Sequence, residues 1–216
     1  MMQPHSKLLD LAAKQHLAPL GLKRKGRSRV WIGDQRWYAI VVEFQPSGYS
    51  KGSFLNVSAH FLWSASGHLS FDLGNRVEDF IEFVSEAQFA PEANRLAEAA
   101  AREVGRLRAL LTGVQVVASS MPENSVCWPS YHRAIALGLA GDAVEASPIF
   151  MRLGNPSNPL PWEAERAKLC LEFQRLLAQP TEFRAVVNRL IQQQRSALRL
   201  PEVDQPFTDI DVMARA

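Results

Sequence analysis

Cysteine is scarce in this chain of 216 residues, which carries only Cys127 and Cys170, with no CxxC pair and no Cys/His spacing. A disulfide framework is thereby excluded as the organising principle, and both thiols are expected to be reduced, as in a cytoplasmic protein. Long apolar runs are also missing. The early segment Lys7-Leu8-Leu9-Asp10-Leu11-Ala12-Ala13-Lys14 is broken by charge every few residues, unlike a signal peptide. No stretch reaches the roughly 18 uninterrupted apolar residues of a membrane span. The five histidines form no HxxxH or HExxH pair, and the glycines form neither GxxxxGK[ST] nor GxGxxG, so no metal or cofactor is expected.

Charge of one sign is missing overall but not locally. The net charge is +2, too small to imply nucleic-acid binding on its own. Yet Lys23, Arg24, Lys25, Arg27, Arg29 and Arg36 crowd one region with only Asp34 among them, while Glu202, Asp204, Asp209 and Asp211 make the far end acidic.

What is present is a 47% hydrophobic composition, enough for a substantial core. Ser6 reads as the N-cap of a first helix ending near His16, with Leu8, Leu9, Leu11 and Ala12 at helical spacing. Short β segments follow over Leu22 to Lys25 and Arg29 to Ile32. Arg36 to Gln45 is the longest β-branched and aromatic run, with Tyr38, Ile40, Val42 and Phe44 on one face. After the turn-rich 46–52 segment, Leu55, Val57, Ala59 and Phe61 alternate with Asn56, Ser58 and His60, which places the latter three on the polar face. Leu69 to Leu73 reads as a further strand, and Asp79 to Val84 fits either strand or helix.

From about Pro91 the period becomes helical, with Ala93, Leu96, Ala97, Ala100, Val104, Leu107 and Leu111 in one stripe. A connection over Ser119 to Pro129 leads to a helix pair, Tyr131 to Leu139 and Ala143 to Leu153, about a tight turn at Gly141. Two more helices span Trp162 to Leu177 and Thr181 to Leu198. The expected class is α+β: an N-terminal helix and a mostly antiparallel sheet of four or five strands packed by a long helix, then an α-helical C-terminal region. The expected division is an α+β domain over 1–118, a helical region over 119–200 packed on it or forming a subdomain, and an acidic tail over 201–216. That tail is expected to drape over the body, to fold back onto the cations, or to be disordered.

Leu20-Gly21-Leu22-Lys23-Arg24-Lys25-Gly26 after a helix, the aromatic strand ending Phe44-Gln45-Pro46-Ser47, Phe54-Leu55-Asn56-Val57, and the later long helix with Arg106 resemble the bacterial family catalogued as domain of unknown function 4304. The resemblance covers Leu8 to about Leu111. It implies an immunity-like protein that binds and neutralises a toxin, and it supplies no catalytic residue to carry over.

Catalytic pairs are weak on geometry. Glu43 and His60 would lie on the order of 14 Å apart if the two strands pair as a hairpin. Cys127 and His132 are near in sequence only, beside Trp128-Pro129, which favours a structural cysteine. The expected function is therefore non-enzymatic binding of another protein, such as a toxin with an acidic surface. The expected contact residues are Lys23, Arg24, Lys25, Arg27, Arg29 and Trp37, with Asn56, Ser58 and His60 from the polar sheet face. The alternative is a regulator that binds nucleic acid through the same basic and aromatic segment.

Overall fold

A computed structural model describes residues 3–122, 127–208 and 211. Helix α1 (Pro4–Leu17) leads to five strands, β1 (Lys23–Arg24), β2 (Val30–Asp34), β3 (Tyr38–Gln45), β4 (Gly52–Phe61) and β5 (Leu73–Glu82). Seven α-helices are described in all, the rest being α2 (Glu86–Leu110), α3 (Val114–Ser120), α4 (Trp128–Leu139), α5 (Ala143–Gly154), α6 (Pro161–Leu176) and α7 (Pro180–Leu198). The class is α+β, and the strands lie in sequence order in one antiparallel sheet. No helix among the described residues is long and apolar enough to cross a membrane.

The chain divides into two compact units. The first holds residues up to His60 together with Leu69–Leu110; the second holds Phe61–His68 and everything from Leu111. The second unit thus takes up the chain from Leu111, and a short loop after β4 belongs with the helices. Gln194 of α7 explains that loop's allegiance. Its side chain accepts from the Gly67 amide at 2.8 Å and donates to the His68 carbonyl at 2.7 Å.

In the first unit, α1 starts at Pro4, whose fixed φ suits the first helical position, with Gln3 before it. Ser6 is therefore inside the helix and not its cap. Of the α1 residues at helical spacing Leu9 and Ala12 are buried, with Ala13 and Leu17, whereas Leu11 is 67% exposed; Ala93, Leu96, Ala97, Ala100 and Val104 of α2 are all buried, as the helical spacing predicts. Helix α2 begins five residues before Pro91. A proline this near the N-terminus forfeits one bond to the Ala87 carbonyl, and Phe89, fully buried against Phe83 and His5 at ring distances of 5.5 and 6.4 Å, anchors the first turns.

Strand β3 is buried on both faces from Tyr38 to Val42, and its alternation opens only at Glu43. The fifth strand occupies Leu73–Glu82, so 79–82 is strand while 69–72 is a loop. Its register with β4 runs Ser53↔Ile81, Leu55↔Glu78, Asn56↔Arg76, which leaves extra residues on β5 at two points. Such bulges twist a sheet edge and discourage pairing with another chain.

In the second unit, the expected helix pair is present, and Gly141 turns between α4 and α5 at φ 84°, a conformation that favours glycine. Asp142 caps α5 by accepting from the Glu145 amide at 3.0 Å. Phe150, Phe173 and Phe183 form a buried ring cluster with centroids 4.9 to 6.2 Å apart. Gly138 lets α4 approach it, because a Cβ there would lie 2.3 Å from the Phe183 ring. The tail from 201 to 208 is ordered on this unit: the Pro201 carbonyl accepts from buried Arg195 at 2.8 and 2.6 Å, and Phe207 stacks on Trp63 at 6.3 Å. Asp209 lies outside the described residues.

Candidate functional site

The residues expected to form one binding surface are separated by the sheet. Strand β1, with Lys23 and Arg24, is at one edge, and Asn56 on β4 is three strands away, about 14 Å. Lys23, Lys25 and Arg27 are exposed. Arg24 is committed internally: it pairs with Asp10 of α1 at 2.7 Å and donates to the Ser28 and Arg27 carbonyls at 2.7 and 3.0 Å. Arg29 is half-buried and donates to the Gly52 carbonyl at 3.0 Å, His5 Nε2 at 2.6 Å and Ser6 Oγ at 2.7 Å. Burial pushes the pKa of this guanidinium down from its ordinary value. Both arginines therefore tie the basic turn to α1 or to neighbouring strands.

Three other residues are not on the surface at all. Trp37 is 2% exposed and packs with its ring tilted against Tyr38, centroids 4.5 Å apart, at the tight turn in which Arg36 takes φ 72° and Asp34 Oδ1 accepts from the Arg36 amide. Ser58 and His60 are fully buried, although they alternate with the core residues of β4. The loop before β5 folds over that face: the Asp72 amide donates to the Ala59 carbonyl at 3.0 Å, and Asp72 Oδ2 and Ser70 Oγ lie 3.2 and 2.7 Å from His60 Nδ1.

A half-buried Ser beside a buried His and Asp side chain invites comparison with a charge-relay triad. In such a triad the carboxylate and the hydroxyl engage opposite nitrogens of the imidazole, so that a proton can pass through the ring. Here both converge on Nδ1. The arrangement fixes the loop on the sheet. Cys127 and His132 are likewise each engaged elsewhere: Cys127 Sγ accepts from Arg166 at 3.4 Å, and His132 Nδ1 accepts from Trp63 Nε1 at 3.0 Å. Among the described residues no three His, Cys, Asp or Glu side chains converge as a metal cage requires.

Asn56 alone of the expected sheet-face residues sits in an outward-facing cluster, and the cluster contains residues the sequence did not single out. Its Nδ2 donates to Glu43 Oε2 at 3.1 Å and to Gln45 Oε1 at 2.9 Å. Arg76 of β5 donates to Asn56 Oδ1 at 3.4 Å and to Gln45 Oε1 at 3.1 Å. The same guanidinium lies over the Phe54 ring, 4.1 Å from its centroid, and Phe54 packs on Phe80 at 5.1 Å. Glu43 is held by Asn56, four residues from His60 on β4, so the distance argument against a Glu43/His60 pair stands.

Four polar side chains and two phenylalanines from three adjacent strands thus form one surface in which each polar group fixes its neighbour's rotamer. Phe54 and Asn56 are the half-exposed positions of β4, alternating with buried Leu55 and Val57. That period-2 signal was visible in the sequence. The contribution of Arg76 was not, because the β5 bulge sets which of its residues meets Asn56. Comparison of the chain with protein-family models, with curated proteins and with solved structures gives no match.

Proposed function

We propose that this chain is a non-enzymatic binding protein of the immunity-like kind, which occludes a toxin through the outward face of β3, β4 and β5. The observation that carries the reading is Arg76, laid on Phe54 and locked by Asn56 and Gln45. Arginine and aromatic side chains dominate the energetics of protein interfaces, and a side chain already held in place loses little entropy when a partner arrives. The exposed Lys23, Lys25 and Arg27 lie at the far edge of the sheet and add positive charge there, which suits a partner with an acidic surface.

Nucleic acid is the weaker partner on the same observations. Arg24 and Arg29 spend their donors inside the protein, and Trp37 has no exposed ring on which a base could stack. The test is capture of the tagged full-length chain from its native cells at moderate and high salt, followed by co-expression with any captured protein. A salt-resistant protein partner whose growth arrest is relieved by the wild type, and roughly tenfold less by Arg76→Glu, is the expected result. Co-purifying nucleic acid that leaves at high salt, with no protein partner, would overturn the reading.

A further inference from the structure

The second unit contains a cavity of about 490 Å³, within the size range of small-molecule sites, and a buried arginine in its wall. Arg166 of α6 is 6% exposed, and its guanidinium carbon lies 5.3 Å from the Trp128 ring centroid and 5.0 Å from that of Trp162. The two indoles are nearly parallel, 13° apart, with centroids at 6.3 Å. Leu169 adds to the apolar wall, and His68, whose Nδ1 donates to the Ser66 carbonyl at 2.9 Å, is at the exposed rim.

The guanidinium is short of acceptors. Its Nη1 donates to Cys127 Sγ at 3.4 Å, a weak acceptor, and its Nη2 has only Glu163 Oε1 at 4.0 Å. Its Nε is buried with no hydrogen-bond partner. Nε and Nη2 form one edge of the fork, the edge that receives a carboxylate in side-on bidentate pairing. A buried cation normally needs such a partner, because taking it out of water carries a desolvation penalty that poor contacts do not offset. The N-cap position of α4 is held by Cys127 at φ 86°, a conformation a non-glycine residue keeps only where the surroundings enforce it.

We infer that this cavity is a binding site for a small aromatic monocarboxylate, with the carboxylate on the guanidinium of Arg166 and the ring against the indoles of Trp128 and Trp162. A single cation matches a single negative charge. A phosphate dianion fits less well, since Glu163 stands 4.0 Å from Arg166 and Glu165 lines the same cavity. The inference concerns the helical unit and does not depend on the sheet face.

The experiment titrates the full-length chain with 2-naphthoate, 2-naphthamide and 2-naphthyl phosphate, read by calorimetry and by tryptophan fluorescence. Naphthoate is expected to bind saturably, with the amide and the phosphate each roughly tenfold weaker or more. Arg166→Met, which keeps the length of the side chain, is expected to remove the preference for naphthoate over naphthamide. Trp162→Ala, at a position 43% exposed and outside the core, is expected to weaken naphthoate roughly tenfold with the far-ultraviolet spectrum unchanged. Equal binding of acid and amide, tighter binding of the phosphate, no saturable binding, or naphthoate affinity untouched by both variants would each overturn the assignment.

Discussion

Arg29 in the sheet unit and Arg166 in the helical unit are both withdrawn from water, and their surroundings differ in kind. Arg29 donates to a carbonyl, an imidazole nitrogen and a hydroxyl, all within 3.0 Å. Arg166 has a thiol, a carboxylate at 4.0 Å and two π-faces. The first arrangement spends the cation on the fold, joining α1 to β2 and β4. The second holds it ready for something outside the chain. Six basic residues in a row of fourteen draw attention in the sequence, yet Arg166, outside that run, is a buried cation with a donor left without a partner.

The same substitution at the two positions should separate these roles. Arg29→Met leaves His5, Ser6 and the Gly52 carbonyl without their donor, and because bonds to charged groups are worth about 1.5–3 kcal/mol each, a loss of about 3 kcal/mol is expected. It would be read as a lower urea midpoint with an unchanged slope. Arg166→Met should change stability by less than about 1 kcal/mol and in the stabilising direction, since an apolar isostere relieves desolvation and places sulfur against the indoles. A loss above about 2 kcal/mol at Arg166 would mean that the guanidinium is satisfied from within, and the contrast would fail.

Local chemistry makes part of the fold legible in the sequence. The α4–α5 turn follows from Gly141 and Asp142, and the outward Asn56 from the alternation of β4. Short or interrupted elements were harder: α3 has seven residues, two of them serine, and Pro91 looked like a helix start although α2 tolerates it in its second turn. The buried state of His60 depends on Asp72 and Ser70 folding back, which no periodicity records. The Arg166 cavity joins residues from three stretches, 64–68, 128–131 and 162–169. Its only local trace is Trp162 and Arg166 one helical turn apart, a spacing shared by many solvated pairs.

Histidine 5 sharpens the Arg29 half of the comparison through pH. Its Nε2 accepts from Arg29, so the ring is neutral with its proton on Nδ1, a buried atom without a partner. Burial first, then the charges of Arg29 and Lys51, hold its pKa below the ordinary 6.5. The unfolded chain therefore binds a proton that the folded one resists, and stability present above pH 6.5 falls as the pH drops below that value. His5→Gln retains an acceptor for Arg29 and should flatten this part of the profile, measured as thermal midpoint against pH. A profile that kept its slope in the variant would place the titrating group elsewhere.

The smallest effect is expected at Arg24, which bears on whether the basic turn is structural or free. Its ion pair with Asp10 is partly open to solvent, with side chains 23% and 31% exposed, and pairs of this kind contribute about 0.2–1 kcal/mol. Two further bonds run to carbonyls of its own turn, so Arg24→Ala should loosen residues 25–28 more than it lowers global stability. The expected result is a change of about 0.5 kcal/mol that shrinks as salt is added, together with faster amide exchange at Ser28. A change above about 2 kcal/mol would put Arg24 in the same class as Arg29, and would leave Lys23, Lys25 and Arg27 as the whole of the turn's free positive surface. A partner drawn to that turn would then meet three solvent-exposed side chains and not a fixed arginine, whereas Arg76 at the opposite edge of the sheet is held in place before any partner arrives.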